Sequence, residues 1–171
     1  MPASNLFPTP SDAALGSPSI VQRARAAGLA LAARLSWFAP LLARCVIGLV
    51  FVLSGWGKLH HLDGVIDYFR TLGIPAPELQ APFAAAMEFA CGLAVLLGFC
   101  TRLAAVPLIV IMLVAIKTAK AGDFAEAGDP LEWLNVLFGL SEFLYIVLLA
   151  WLALAGAGAL SLDRLLFRRR D

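Results

Sequence analysis

One stretch, Pro40 to Leu59 (PLLARCVIGLVFVLSGWGKL), does most to limit what this chain can become. It runs for about 20 mostly apolar residues, the length a helix needs to cross a hydrocarbon core of roughly 30 Å. Two cations sit inside it, and Arg44, Gly48, Phe51, Gly55 and Lys58 recur at intervals of four and three residues, which places all five on one helical stripe. A charge at mid-membrane costs about 2.5–3.5 kcal/mol even on a lenient insertion scale. The stripe is therefore predicted to face protein, and other segments must answer its charges.

The remaining composition agrees with a membrane chain. Of 171 residues, 61% are hydrophobic and 15% charged, with a mean hydropathy of +0.85; soluble domains run at about 45–50% apolar. A net charge of +1, with no Lys/Arg stripe interleaved with aromatics, excludes nucleic acid as a partner. Cys45, Cys91 and Cys100 lie singly in or beside apolar runs, with no Cys-x-x-Cys, and read as core thiols. No basic n-region with an adjoining apolar core and cleavage site opens the chain, so the first span is expected to be retained.

Residues 1–19 are rich in Pro, Ser and Ala and read as a disordered tail. From Ile20 to Leu35, Arg23, Arg25 and Arg34 punctuate a helix-forming segment, either an interfacial helix or an extension of the first span. After that span, Asp63 is positioned to cap a short helix carrying Val65, Ile66 and Phe69 on one side, with Gly73 as its end and Pro75 and Pro77 extending the backbone. A second span covers Ala81–Phe99, with Glu88 inside it and Gly92 one turn on; a third covers Leu103–Ala119 and carries Pro107 and Lys117. Only Cys100 to Arg102 separate them, so they are antiparallel neighbours. Beyond an acidic loop, Asp129, Pro130 and Glu132 read as N-cap, N1 and N3 of a fourth helix over Leu131–Leu154, with Asn135 and Glu142 seven residues apart on one face. A glycine-rich helix end, Ser161 as an N-cap and a basic tail complete the chain.

The expected fold is all-α, a polytopic membrane four-helix bundle. Its divisions are 1–35 (tail and basic interfacial helix), 36–160 (four membrane helices) and 161–171 (basic tail). Arg23, Arg25 and Arg34, Arg102, and Arg164 with Arg168, Arg169 and Arg170 fall on one side, while the other two loops are neutral to acidic; both termini are thus predicted to be cytoplasmic.

With that topology Lys58, Glu88, Lys117 and Glu142 all fall in the outer half of the membrane. A cluster of these four between the helices is expected, with Asn135 and Tyr145 as hydrogen-bonding neighbours. Either it binds a polar head group such as a quinone carbonyl or relays protons through Glu88 and Glu142, or its ion pairs merely lock the helices together. Arg44, about 21 Å along the axis from Lys58, has no acidic partner in the spans and is expected to snorkel or to meet lipid phosphate. His60 and His61 are adjacent, do not share a helix face and read as surface residues; the chain has no Glu-x-x-His and no Cys/His set for zinc, so no metal site is expected. Trp37, Trp56, Trp133 and Tyr68 read as an interfacial belt.

Arg44 to Leu59, the Gly73-Ile74-Pro75 turn, Glu88 to Arg102, Glu142, and Gly156 to Asp163 together resemble the DoxX family of small four-helix membrane proteins. The resemblance covers most of residues 40–165. It departs at Gly156-Ala157-Gly158, where the family pattern has Gly-Pro-Gly. What it implies is a quinone-linked or redox-partner role at the bacterial inner membrane, since family members include or are related to subunits of thiosulfate:quinone oxidoreductase and archaeal terminal quinol oxidase complexes. Others are associated with sulfurtransferase and superoxide dismutase. Carried over by motif position, Arg44, Lys58, Glu88, Arg102 and Glu142 are the residues of interest.

The leading expectation is an accessory, multi-pass inner-membrane subunit of a quinone-linked oxidoreductase, with Glu88 and Glu142 handling protons and Lys58 or Lys117 holding a quinone oxygen. A non-catalytic scaffold that docks a soluble redox or sulfurtransferase partner through its basic segments is the alternative. A small-solute transporter ranks third, lacking paired repeats or broken helices. Quinone is the one cofactor expected, non-covalently; the bilayer, a soluble partner and further copies of the chain are the expected partners. A thiol oxidase is excluded, because its chemistry needs neighbouring redox cysteines.

Overall fold

The computed structural model describes residues 19–158 and 161–167. Readings of the first 18 residues as a tail, and of Arg168 to Arg170 as part of a basic tail, lie outside the described residues. Regular structure among them is entirely helical: α1 (Ile20–Leu35), α2 (Phe38–His60), α3 (Leu62–Thr71), α4 (Pro77–Leu97), α5 (Thr101–Ala119), α6 (Ala121–Ala125), α7 (Pro130–Gly139), α8 (Ser141–Ala155) and α9 (Leu162–Phe167). The chain divides into two compact units between Ser36 and Trp37.

The first unit contains α1. Ser19 caps it, its hydroxyl accepting from the Gln22 N–H while the Gln22 side chain accepts from the Ser19 N–H, so two orphan donors are satisfied reciprocally. Every residue of the helix is exposed, including Arg23, Arg25 and Arg34.

In the second unit, α2, α4 and α5 are each long and apolar enough to cross a membrane. Their lengths follow from unbroken apolar runs, and their ends from local signals. At the end of α4, Gly98 takes φ +72° and the Phe99 N–H bonds back to the Ala94 carbonyl, the glycine-dependent turn that closes a helix. On α2, Leu42, Val46, Leu49, Leu53 and Trp56 form an exposed apolar stripe, while Arg44, Gly48, Phe51 and Gly55 are buried two positions along on the opposite side. Such exposed stripes are tolerable only where lipid is the solvent.

Glycine decides how closely α2 and α4 approach. A Cβ at Gly55 would stand 2.8 Å from the Phe89 Cα, one at Gly92 2.8 Å from the Phe51 Cβ, and one at Gly48 2.8 Å from the Leu96 Cβ. Small residues at these three levels let the backbones meet, the main device for packing helices in lipid. Around this seam Ile47, Phe51, Val95, Ala105, Leu108, Leu149 and Leu152 form the core shared by α2, α4, α5 and α8.

The fourth apolar stretch departs from expectation. Instead of one helix over Leu131–Leu154, α7 ends at Gly139, Leu140 is extended (φ −76°, ψ 128°), and α8 restarts at Ser141 with a 69° bend. Leu140 is buried at this corner. Asp129 and Pro130 do occupy N-cap and N1 of α7, but Glu132 accepts from the Gly128 N–H rather than closing a box on Asp129. Two further corrections are local. The Asp63 side chain does not cap α3, whose N-cap is His61, and lies in its first turn, where the helix dipole favours an acid; the loop before α7 contains α6.

Candidate functional site

Glu88 is 1% exposed and both of its oxygens are engaged: Oε1 with the Lys58 ammonium at 2.5 Å and Oε2 with the Ser54 hydroxyl at 2.9 Å. Ser54 and Lys58 lie one turn apart on α2, so together they hold the carboxylate by both ends. The close approach at Gly55 sets this geometry, because it brings the α4 backbone at Ala85 and Phe89 against α2 between those two side chains. The expected cluster contains both Lys58 and Glu88 but not Ser54, whose only signal in the sequence is its position four residues before Lys58.

The pair lines a cavity of about 710 Å³. Phe51 and Val50 of α2, Ala84 of α4, and Ile111, Val114 and Ala115 of α5 make its walls largely apolar. Val65, Tyr68, Phe69 and Leu72 on one face of α3 also line it. On the opposite face of α3, Arg70 binds Asp67 at 2.6 Å and Glu78 at 2.5 Å, which ties the helix to the start of α4. The hydrogen bond that Arg70 donates to Glu78 holds its guanidinium above its ordinary pKa.

Glu142 and Tyr145 of α8 complete the lining. The Tyr145 ring meets Phe51 edge-on with centroids 6.0 Å apart. Oε2 of Glu142 accepts from the Ser141 hydroxyl at 3.1 Å, and among the described residues no cation pairs with it. The expected four-charge cluster is thus one ion pair with a second carboxylate elsewhere on the same cavity. Lys117 is exposed and does not line the cavity, since its position on α5 points roughly a third of a turn away from the Val114–Thr118 face. Asn135 is exposed on α7. The bend at Leu140 breaks the seven-residue register that would have put it beside Glu142.

Arg44 and Arg102 belong to the other end of the bundle. Arg44 is buried rather than snorkelling, and Nη1 donates to the Ala157 carbonyl at 2.6 Å. The Asp163 carboxylate accepts from the Cys100 N–H at 2.8 Å, the Asp163 N–H donates to the Gly98 carbonyl at 3.1 Å, and Arg102 Nη2 donates to the Leu154 carbonyl at 3.3 Å. Ser161 caps α9 through the Arg164 N–H, as its sequence position predicts. Asp163 thus fastens the turn between α4 and α5 to the segment after α8, Arg44 ties α2 to that segment and Arg102 ties the start of α5 to the end of α8, so neither arginine reaches the cavity. His60 is exposed and its ring lies tilted against Trp56 with centroids 4.2 Å apart, while His61 contributes to the cavity lining.

The family model described as DoxX matches residues 39–121. The inner membrane protein YphA of Escherichia coli is 34% identical over 72% of this chain and 87% of its own length. A second Escherichia coli inner membrane protein, YqjF, is 33% identical over 75% of this chain and 92% of its own. CatD of Bacillus subtilis, provisionally named an oxidoreductase, is 32% identical over 75% of this chain and 87% of its own. No solved structure matches.

Proposed function

The chain belongs to the DoxX family of multi-pass inner-membrane proteins, and from that premise we propose that it is an accessory subunit of a quinone-linked oxidoreductase system. In this reading the cavity between α2, α3, α4, α5 and α8 receives the polar head of a membrane-soluble ligand. The observation that carries it is the Lys58–Glu88–Ser54 group on the wall of an apolar cavity of about 710 Å³. Ligand pockets commonly measure roughly 300–1,000 Å³, apolar with a few placed polar groups. Lys58 keeps two N–H donors beyond its bond to Glu88, enough to hold a carbonyl or a developing oxyanion. The name given to CatD supports a redox setting.

Quinone binding by the protein purified in nanodiscs tests the proposal. Saturable binding of a short-chain ubiquinone or menaquinone is expected, weakened about ten-fold in Glu88→Gln, where Lys58 loses its anchoring charge. Absence of saturable binding of both the quinone and its reduced form to the parent protein would sink it. The exposed arginines of α1 favour one further reading, a scaffold that docks a soluble redox or sulfur-transfer partner; mild-detergent purification with mass spectrometry separates the two, because a scaffold retains a protein and shows no quinone dependence.

A further inference from the structure

We propose that the head group this cavity prefers carries a hydroxyl, as a phenol or hydroquinone does, over a head group that offers carbonyls alone. This rests on the cavity being a ligand site, and adds which chemical form it takes.

The argument begins with register. Arg44 meets Ala157 and Phe51 meets Tyr145, so residue numbers rise along α2 as they fall along α8, and the two helices are antiparallel. Three residues beyond the Phe51–Tyr145 contact, Ser54 on α2 and Glu142 on α8 have each advanced by about 4.5 Å in the same direction. Glu142 therefore stands near the level at which Ser54 and Lys58 hold Glu88, and all four residues line one cavity.

The two walls differ in what they offer. Glu88 has both oxygens occupied, by Lys58 and by Ser54, and acts as the anchor of Lys58 rather than as a ligand contact. Lys58 presents its remaining donors. Glu142 has one oxygen on Ser141, and its Oε1 has no donor among the described residues. Ionised, it is an acceptor only. A carbonyl-only head group serves Lys58 but covers Oε1 of Glu142 without giving it a donor, a loss larger than the gain of an ordinary hydrogen bond. A hydroxyl accepts from Lys58 and donates to Glu142 at once, while its ring faces Phe51 and Tyr145.

The test compares duroquinone with durohydroquinone, the same tetramethyl ring in its two forms, binding anaerobically to the full chain in nanodiscs. The hydroquinone is expected to bind at least ten-fold tighter, about the effect of one hydrogen bond to a charged group. Glu142→Leu is expected to remove the preference by weakening the hydroquinone alone; should that variant not fold, Glu142→Gln, close in shape, is expected to cut the preference at least three-fold. Equal affinities in the parent, tighter duroquinone, or a preference that neither variant changes overturns the inference and leaves the cavity reading standing. Binding of neither form overturns both.

Discussion

Lys58 and Glu88 meet across the α2–α4 seam at 2.5 Å, with Glu88 1% exposed and Lys58 34% exposed. Removing one partner strands a buried charge, whereas removing both leaves an apolar contact. Lys58→Met is expected to cost about 3 kcal/mol, near the lower end for a broken buried pair because Lys58 is partly exposed. Lys58→Met combined with Glu88→Leu is expected to recover most of that loss and to bind no quinone. Thermal unfolding in detergent reads the first effect and ligand titration the second. A double variant no more stable than Lys58→Met alone would show that the pair does not act as a unit.

Close approach at Gly55 is the condition for that pair. Gly55→Ala places a methyl 2.8 Å from the Phe89 Cα and 2.9 Å from the Ala85 carbonyl oxygen, atoms of backbone that cannot step aside. A loss of about 1–3 kcal/mol is expected, as for other overpacked sites. Gly57→Ala, two residues on, meets nothing within 4 Å and is expected to leave the melting temperature unchanged or slightly raised. Equal behaviour of the two variants would remove the glycine seam from the account.

The sequence made α2, α4 and α5 legible because each is a long apolar run with a glycine or proline at its margin. It failed at Leu140. Averaged over a span, hydropathy stays high between Asn135 and Leu154, and the break is marked only by Gly139 and by Ser141-Glu142, a helix start set in an apolar run. A continuous helix puts Asn135 on the Glu142 face, and the bend at Leu140 takes it away. Arg44 escapes the sequence for a different reason: it donates to the Ala157 carbonyl at 2.6 Å, and a backbone acceptor leaves no trace in a search for acids. That Lys58 and Glu88 belong to one buried group is legible since opposite charges in separate spans have few other ways to be neutralised, but nothing in the sequence selects Lys58 over Lys117 as the cation that Glu88 meets.

The α3 helix lies over the cavity and is held from outside by Arg70, which bridges Asp67 and Glu78. All three side chains are exposed, so salt should weaken the tie. Arg70→Ala is expected to speed hydrogen exchange in α3 and to accelerate ligand release, with the melting temperature of the bundle unchanged. High salt should reproduce the effect in the parent protein and add nothing in the variant. Unaltered α3 exchange in Arg70→Ala would mean that the apolar face alone holds the helix.

By the positive-inside rule, Arg102 together with Arg23, Arg25 and Arg34 predicts that both termini face the cytoplasm. A fluorescent protein fused after residue 171 is expected to fluoresce, and alkaline phosphatase at the same place to be inactive, as the positive-inside rule requires. Alkaline phosphatase inserted between Leu72 and Ala76 is expected to be active. The reverse pattern would place the cavity end of the bundle in the cytoplasm.

At the opposite end, Arg44 ties the start of α2 to the chain after α8, and Gly98 makes room for it. A Cβ at residue 98 would collide with the Arg44 guanidinium and stand 2.8 Å from the Ser161 Cβ, at a φ of +72° that favours glycine. Arg44→Met removes the donor, while Gly98→Ala pushes it aside, so both are expected to free the segment beyond Ala155 and expose it to protease in detergent. Arg44→Lys keeps the charge but not the planar fork, and is expected to protect only in part. Because Arg44 does not reach the cavity, duroquinone affinity should be unchanged in variants that remain folded. Trimming rates equal to the parent's in both Arg44→Met and Gly98→Ala would show that this end is held by other contacts. A loss of ligand affinity without trimming would instead connect the two ends of the bundle through α2.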